Sequence, residues 1–166
     1  MGLREELKMS SPMNKNRETI LSLIKTSSML TRLSDRFFSQ FGTSDIQFNI
    51  LMILNCSAEQ GLSQQELSER LVVTKSNVVG LIDRMEKQGL VQRKSHPTDR
   101  RFNQIVITLK GQKLVEKVEG YYYEEVNRMT ASLSEQEKKS IVDATEKIRE
   151  YLRDNWEGNH ASKKSR

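Results

Sequence analysis

Apolar residues recur at helical spacing from Arg17 onward, at Ile20, Leu23, Ile24, Leu30, Leu33, Phe37 and Phe41. Such spacing predicts one long amphipathic helix. Gly42 closes it, and Ser44 or Thr43 supplies a cap for the next. That second segment carries Ile46, Phe48, Ile50, Leu51, Ile53 and Leu54 and is apolar nearly all round, which places it in the middle of a core.

After Gly61 the pattern changes to short helices with marked starts. Ser63-Gln64-Gln65-Glu66 reads as a capping box, in which the serine oxygen accepts from a backbone N–H near Glu66 and the glutamate reaches back. Leu67 and Leu71 face inward, Val72-Val73 make a turn, and Thr74 caps a further helix with an inward stripe of Val78, Leu81, Ile82 and Met85. Gly89 stands where a helix C-terminus favours glycine. Two β-branched runs follow, Leu90–Arg93 and Ile105–Leu109, joined through the turn-forming Ser95-His96-Pro97-Thr98-Asp99. Helix, turn, helix and then a charged hairpin is the layout of a winged helix.

Helical spacing resumes after Gly111 with Leu114, Val118, Tyr121, Tyr122, Val126 and Met129. A second capping box, Ser134-Glu135-Gln136-Glu137, opens a last helix with Ile141, Thr145, Ile148 and Leu152 on one face. The expected fold is mainly α with a small β-hairpin wing. A winged helix-turn-helix, about 44–111, is flanked by N- and C-terminal helices, about 16–42 and 111–155. Residues 1–15 read as a flexible lead-in, 16–156 as one domain and 157–166 as a polar tail. The flanking helices carry more apolar surface than a small winged helix covers, and a second copy of the chain would bury it; they are read as dimerisation helices.

Charge narrows the function. The chain is only mildly basic, at +5, but nine Lys/Arg face five Asp/Glu between Gly61 and Gly111, so most of the excess lies on the winged-helix segment. The single cysteine, Cys56, precludes an intrachain disulfide and suits a reducing cytoplasm. The charged start Met1–Lys8 lacks the apolar run of a signal peptide, and no run approaches the roughly 20 residues of a membrane span. His96, His160 and Cys56 share no metal-ligand spacing, so neither metal nor cofactor is expected. No glycine-rich phosphate loop or nucleophile–base arrangement points to an enzyme.

The chemistry of the segment suits a duplex. A recognition helix lies in the major groove with its N-terminal residues at base edges. Here that helix opens with Thr74, Lys75, Ser76 and Asn77, with Gly80 and Arg84 further along. Ser76 and Asn77 are short hydrogen-bonders for bases, Lys75 and Arg84 suit phosphates, and Gly80 allows close backbone approach. In the hairpin, Arg93, Lys94, Arg100 and Arg101 flank the turn, and Asp99 is placed to pair with an arginine. A basic hairpin tip reaches an adjacent minor groove, where arginine favours the negative potential.

Several stretches resemble the MarR family: Leu67-Ser68-Glu69-Arg70-Leu71, Thr74 through Glu86, Gly89-Leu90-Val91, and Pro97-Thr98-Asp99-Arg100-Arg101. The Leu109-Lys110-Gly111 close is similar too, although that family usually has a Leu-Thr pair before a spaced glycine, whereas here Thr108 precedes Leu109. The resemblance implies a homodimeric winged-helix regulator, mostly a repressor, on a pseudo-palindromic operator in double-stranded DNA. It implies release by a small hydrophobic or phenolic effector, Ser76, Asn77 and Gly80 facing bases, and Asp99 with Arg101 as a wing-tip pair. The lining of an effector pocket does not follow from these motifs. Cys56 falls at the end of the second helix and reads as incidental, in contrast to relatives that sense peroxide through a cysteine of the first. The competing reading is a winged-helix interaction module that binds protein or RNA without specific DNA readout; such a module needs no two-fold symmetry.

Overall fold

The computed structural model describes residues 13–57, 61–71, 75–95 and 103–157. These fall into two compact units, one ending at Val118 and the other beginning at Glu119.

The first unit starts with α1 (Lys15–Ser39), opened by Asn14, whose side chain accepts from the Asn16 N–H. Gly42 then takes a positive φ of 69°, and Ser44 caps α2 (Asp45–Asn55) in a full capping box with Gln47. Phe48, Ile50, Leu51 and Leu54 of α2 are buried, but Ile46 is exposed and Ile53 half-buried, so the helix is not covered all round as its apolar pattern predicts. Phe38 of α1 meets Phe48 at a ring-centroid distance of 5.1 Å, within the range of favourable aromatic contact.

Next come β1 (Leu62–Ser63), α3 (Gln64–Arg70), α4 (Lys75–Lys87), β2 (Val91–Ser95) and β3 (Asn103–Ile107). The strands form an antiparallel sheet in the order β1-β3-β2, with Leu62 opposite Ile105 and Val91 opposite Ile107. Strand β1 has no counterpart in the sequence reading, because two residues are too few to show an alternation. The hairpin strands run later at the first and earlier at the second than the apolar runs predict. Leu90 is buried in the turn before β2, and Leu109 is already helical.

The shift at Leu109 has a local cause. The Thr108 hydroxyl accepts from the Gly111 N–H at 3.1 Å, which makes Thr108 the cap of α5 (Leu109–Thr130) and starts that helix two residues before the predicted place. Gly111 therefore lies inside the helix. A Cβ there would stand 2.3 Å from the Leu90 carbonyl oxygen, so only glycine lets the helix lie this close to the α4–β2 turn.

The core of this unit joins Leu51 and Leu54 of α2, Leu67 of α3, Val78, Ile82 and Met85 of α4, Val91 and Ile105 of the sheet, and Val115 of α5. Each such side chain contributes roughly 1.5–3 kcal/mol by leaving water.

The second unit holds the rest of α5 and α6 (Glu135–Leu152), which continues into a π-helical turn over Arg153–Glu157. Ser134 and Glu137 form the predicted capping box; the Ser134 N–H donates to the Glu137 carboxylate at 2.8 Å. Ion pairs lace the helix surface, among them Lys139–Asp143 at 2.5 Å and Glu146 with both Arg149 and Arg153. No residue of α6 is buried. Ile141, Val142 and Leu152 are 50%, 60% and 48% exposed, and on α1 Ile20, Ile24 and Leu30 are 46%, 59% and 49% exposed. No helix among the described residues is long and apolar enough to cross a membrane.

Candidate nucleic-acid interface

Helix α4 is the centre of the site, and its placement begins with α3. Ser63 Oγ accepts from the Glu66 N–H at 3.2 Å while the Glu66 carboxylate accepts from the Ser63 N–H at 2.8 Å. The box fixes where α3 starts, and fully buried Leu67 seats it on the core. Strand β1 ties the entry to β3. Gly61, at φ 77°, precedes it, and a Cβ there would meet the Ile105 carbonyl oxygen at 2.3 Å.

In α4 the stripe Val78, Leu81, Ile82 and Met85 is buried, as the spacing predicts. Gly80, Asp83, Arg84 and Lys87 fall on the opposite side of the helical wheel. Arg84 and Lys87 are exposed, and nothing stands nearer to an imagined Gly80 Cβ than Arg84 Nη1 at 3.8 Å. The helix thus offers one face with a flat glycine, two cations and the Asp83 carboxylate. Lys75, Ser76 and Asn77 form its first turn; the described side chains of the helix begin at Val78. Thr74, Asp99, Arg100 and Arg101 lie outside the described residues.

The two wing cations on β2 separate. Lys94 is exposed and borders a cavity of about 410 Å³ lined also by Leu54, Asn55, Ser57, Gly61, Val106, Ile107 and Gln112. Arg93 goes to the other side, as alternation along a strand requires. Its guanidinium bridges two carboxylates of α4: Nη2 donates to Asp83 Oδ1 at 2.5 Å and Nη1 to Glu86 Oε2. The Arg93 backbone N–H donates to the other Glu86 oxygen at 2.9 Å. Partial burial works against the arginine charge, but the hydrogen bonds and the charges of Asp83 and Glu86 outweigh it and hold the pKa above its ordinary value. The sequence reading missed this use of Asp83 and Glu86. The available signal was an acidic pair one turn apart, followed after a glycine turn by a strand arginine.

Among the described residues no group of three His, Cys, Asp or Glu is placed to hold a metal ion. Cys56 is exposed at the C-cap of α2.

Comparison with known proteins places this architecture. The MarR family model matches residues 41–101, which include β1, α3, α4 and β2. The HTH-type transcriptional repressor YetL of Bacillus subtilis is 30% identical over 125 residues, covering 75% of each chain. The chain belongs to the MarR family. Its MarR fold recurs in the S. aureus MepR–DNA complex, with a TM-score of 0.74 at 23% identity over 84% of this chain and 99% of that one. It recurs also in CouR from Rhodococcus jostii RHA1, solved with p-coumaroyl-CoA bound, with a TM-score of 0.70 at 21% identity over 82% of this chain and 95% of that one. MarR proteins are transcriptional regulators, not enzymes, and this chain is a MarR-family transcriptional regulator.

Proposed function

We propose that the protein is a repressor that binds a pseudo-palindromic operator in double-stranded DNA as a homodimer. One observation carries the reading: the exposed side of α4 presents Gly80, Arg84 and Lys87 opposite a fully packed stripe, on a helix braced by the core and by β2. Two such helices enter successive major grooves about 34 Å apart, with the wings at the flanking minor grooves. Thr74, Lys75, Ser76 and Asn77 come first at the groove, Ser76 and Asn77 reading bases and Lys75 and Arg84 holding phosphates. Lys94, Arg100 and Arg101 serve the wing, with Asp99 fixing Arg101.

The homodimer is supported by the half-exposed apolar residues on α1 and α6, whose cover by a second copy removes them from water. A small hydrophobic or phenolic effector acts by favouring a dimer whose recognition helices are spaced wrongly for the operator. CouR with its bound p-coumaroyl-CoA gives that part its precedent. Such a repressor works where the chromosome is, in the cytoplasm.

The test is selection of genomic fragments with purified protein, followed by footprinting at physiological salt. A palindromic footprint with half-sites one helical turn apart is expected. Salt-sensitive binding without an enriched sequence overturns the reading in favour of an interaction module.

A further inference from the structure

We propose that Asp83 and Glu86, two carboxylates on the recognition helix, strengthen operator binding although their charge opposes it, because they seat Arg93 and so fix the wing strand against α4. The inference rests on the DNA-binding reading above.

Coulomb's law alone gives the opposite sign. Asp83 shares the outer side of α4 with Arg84 and Lys87, and the Asp83 and Glu86 side chains keep 50% and 37% of their exposure. A carboxylate so placed repels phosphate, and its removal should tighten binding. The geometry assigns these two a different task. Three hydrogen bonds converge from one residue: two from the guanidinium and one from the Arg93 backbone N–H. The last matters most, because β2 is an edge strand of the sheet and its outward N–H groups lack a strand partner. Glu86 therefore holds the main chain of the wing as well as a side chain. With both carboxylates on its guanidinium, and only 24% of the side chain exposed, Arg93 has little charge left for DNA. It is a positioning residue, and the fork it makes across two acceptors is beyond a lysine.

The experiment uses the full chain on an operator fragment selected as above, with affinity measured across a salt series and hydroxyl-radical footprints taken at each variant. Glu86→Gln and Asp83→Asn, both near-isosteric, are each expected to bind about 3–10-fold more weakly despite losing a negative charge. Protection should fade at the flanking minor grooves and persist over the central major-groove contacts. Arg93→Lys keeps the charge and should lose affinity as well, while Arg93→Met should leave the slope of log K against log salt unchanged. Melting curves of each variant accompany the binding data. Tighter binding by Glu86→Gln overturns the inference. So does full affinity in Arg93→Lys, a slope shallower by about 2 per dimer in Arg93→Met, or an equal loss of protection at central and flanking positions. If the wild-type chain itself gives no specific footprint, the DNA-binding reading falls and this inference falls with it; a specific wild-type footprint with any of those variant results overturns the inference alone.

Discussion

Thr108 and Gly89 are joined by a hydrogen bond of 2.7 Å, from the threonine hydroxyl to the glycine carbonyl. The same hydroxyl oxygen accepts from the Gly111 N–H, so one side chain both starts α5 and fastens the turn that ends α4. Thr108→Val keeps the shape and deletes both bonds. It is expected to cost about 1–2 kcal/mol in urea unfolding, with Thr108→Ser recovering most of the loss.

Gly61 faces a harder constraint, since a side chain there collides with the Ile105 backbone and must also adopt a positive φ. Gly61→Ala should destabilise by at least about 1–3 kcal/mol, the usual cost of a strained left-handed residue, read as a lowered thermal midpoint. A value near zero would mean that β1 is not held to β3 as described.

Operator binding separates bases from phosphates. For the proposed dimer neutralising roughly 8 phosphates, log K should fall with log salt at a slope near −7. Asn77→Ala should cost about 1–3 kcal/mol at particular base pairs, and Arg101→Ala should weaken contacts at the flanks. Uniform loss over all sequences for Asn77→Ala would remove that residue from base reading.

Assembly is tested at Ile24, an aliphatic side chain 59% exposed on α1. Ile24→Glu places a charge where the proposed dimer buries apolar surface. Sedimentation should show a shift from dimer to monomer, with the far-ultraviolet spectrum of the helices retained.

Acid should loosen α6 from its start. Hydrogen bonds from the Ser134 side chain and backbone hold Glu137 below the ordinary carboxylate range. A depressed folded pKa contributes stability above the unfolded value, about 4.3 for glutamate, and that contribution is lost as pH falls through the folded one. A carbon-detected titration of Glu137 should give a midpoint below that of an unstructured glutamate, and Ser134→Ala should raise it.

Much of the fold is legible in the sequence because its signals are local. The capping boxes at Ser63 and Ser134 and the stripe Val78, Leu81, Ile82 and Met85 are each contained within a few turns. What escapes is set by distant partners. Strand β1 exists because Leu62 finds Ile105, and the residue of α5 that lies against the Leu90 carbonyl must be glycine, so Gly111 resembles a helix boundary until that contact is seen. The site divides in the same way. Basic residues in the hairpin are plain to count, but Arg93 and Lys94 look alike until the strand sends them to opposite sides. Glu86 then proves to be the partner of one of them.

The pairing of Leu62 with Ile105 also orders events during synthesis. Helices α3 and α4, of 7 and 13 residues, are too short to hold alone in water, although their bonds are local. Their seat is incomplete until β3 is made, because β1 has no strand to join and Ile105 has yet to fill the core. A nascent chain stalled before residue 103 therefore carries α4 without a fixed bearing, its apolar stripe open to chaperones. Helix α4 gains its final seat only when β3 has been translated.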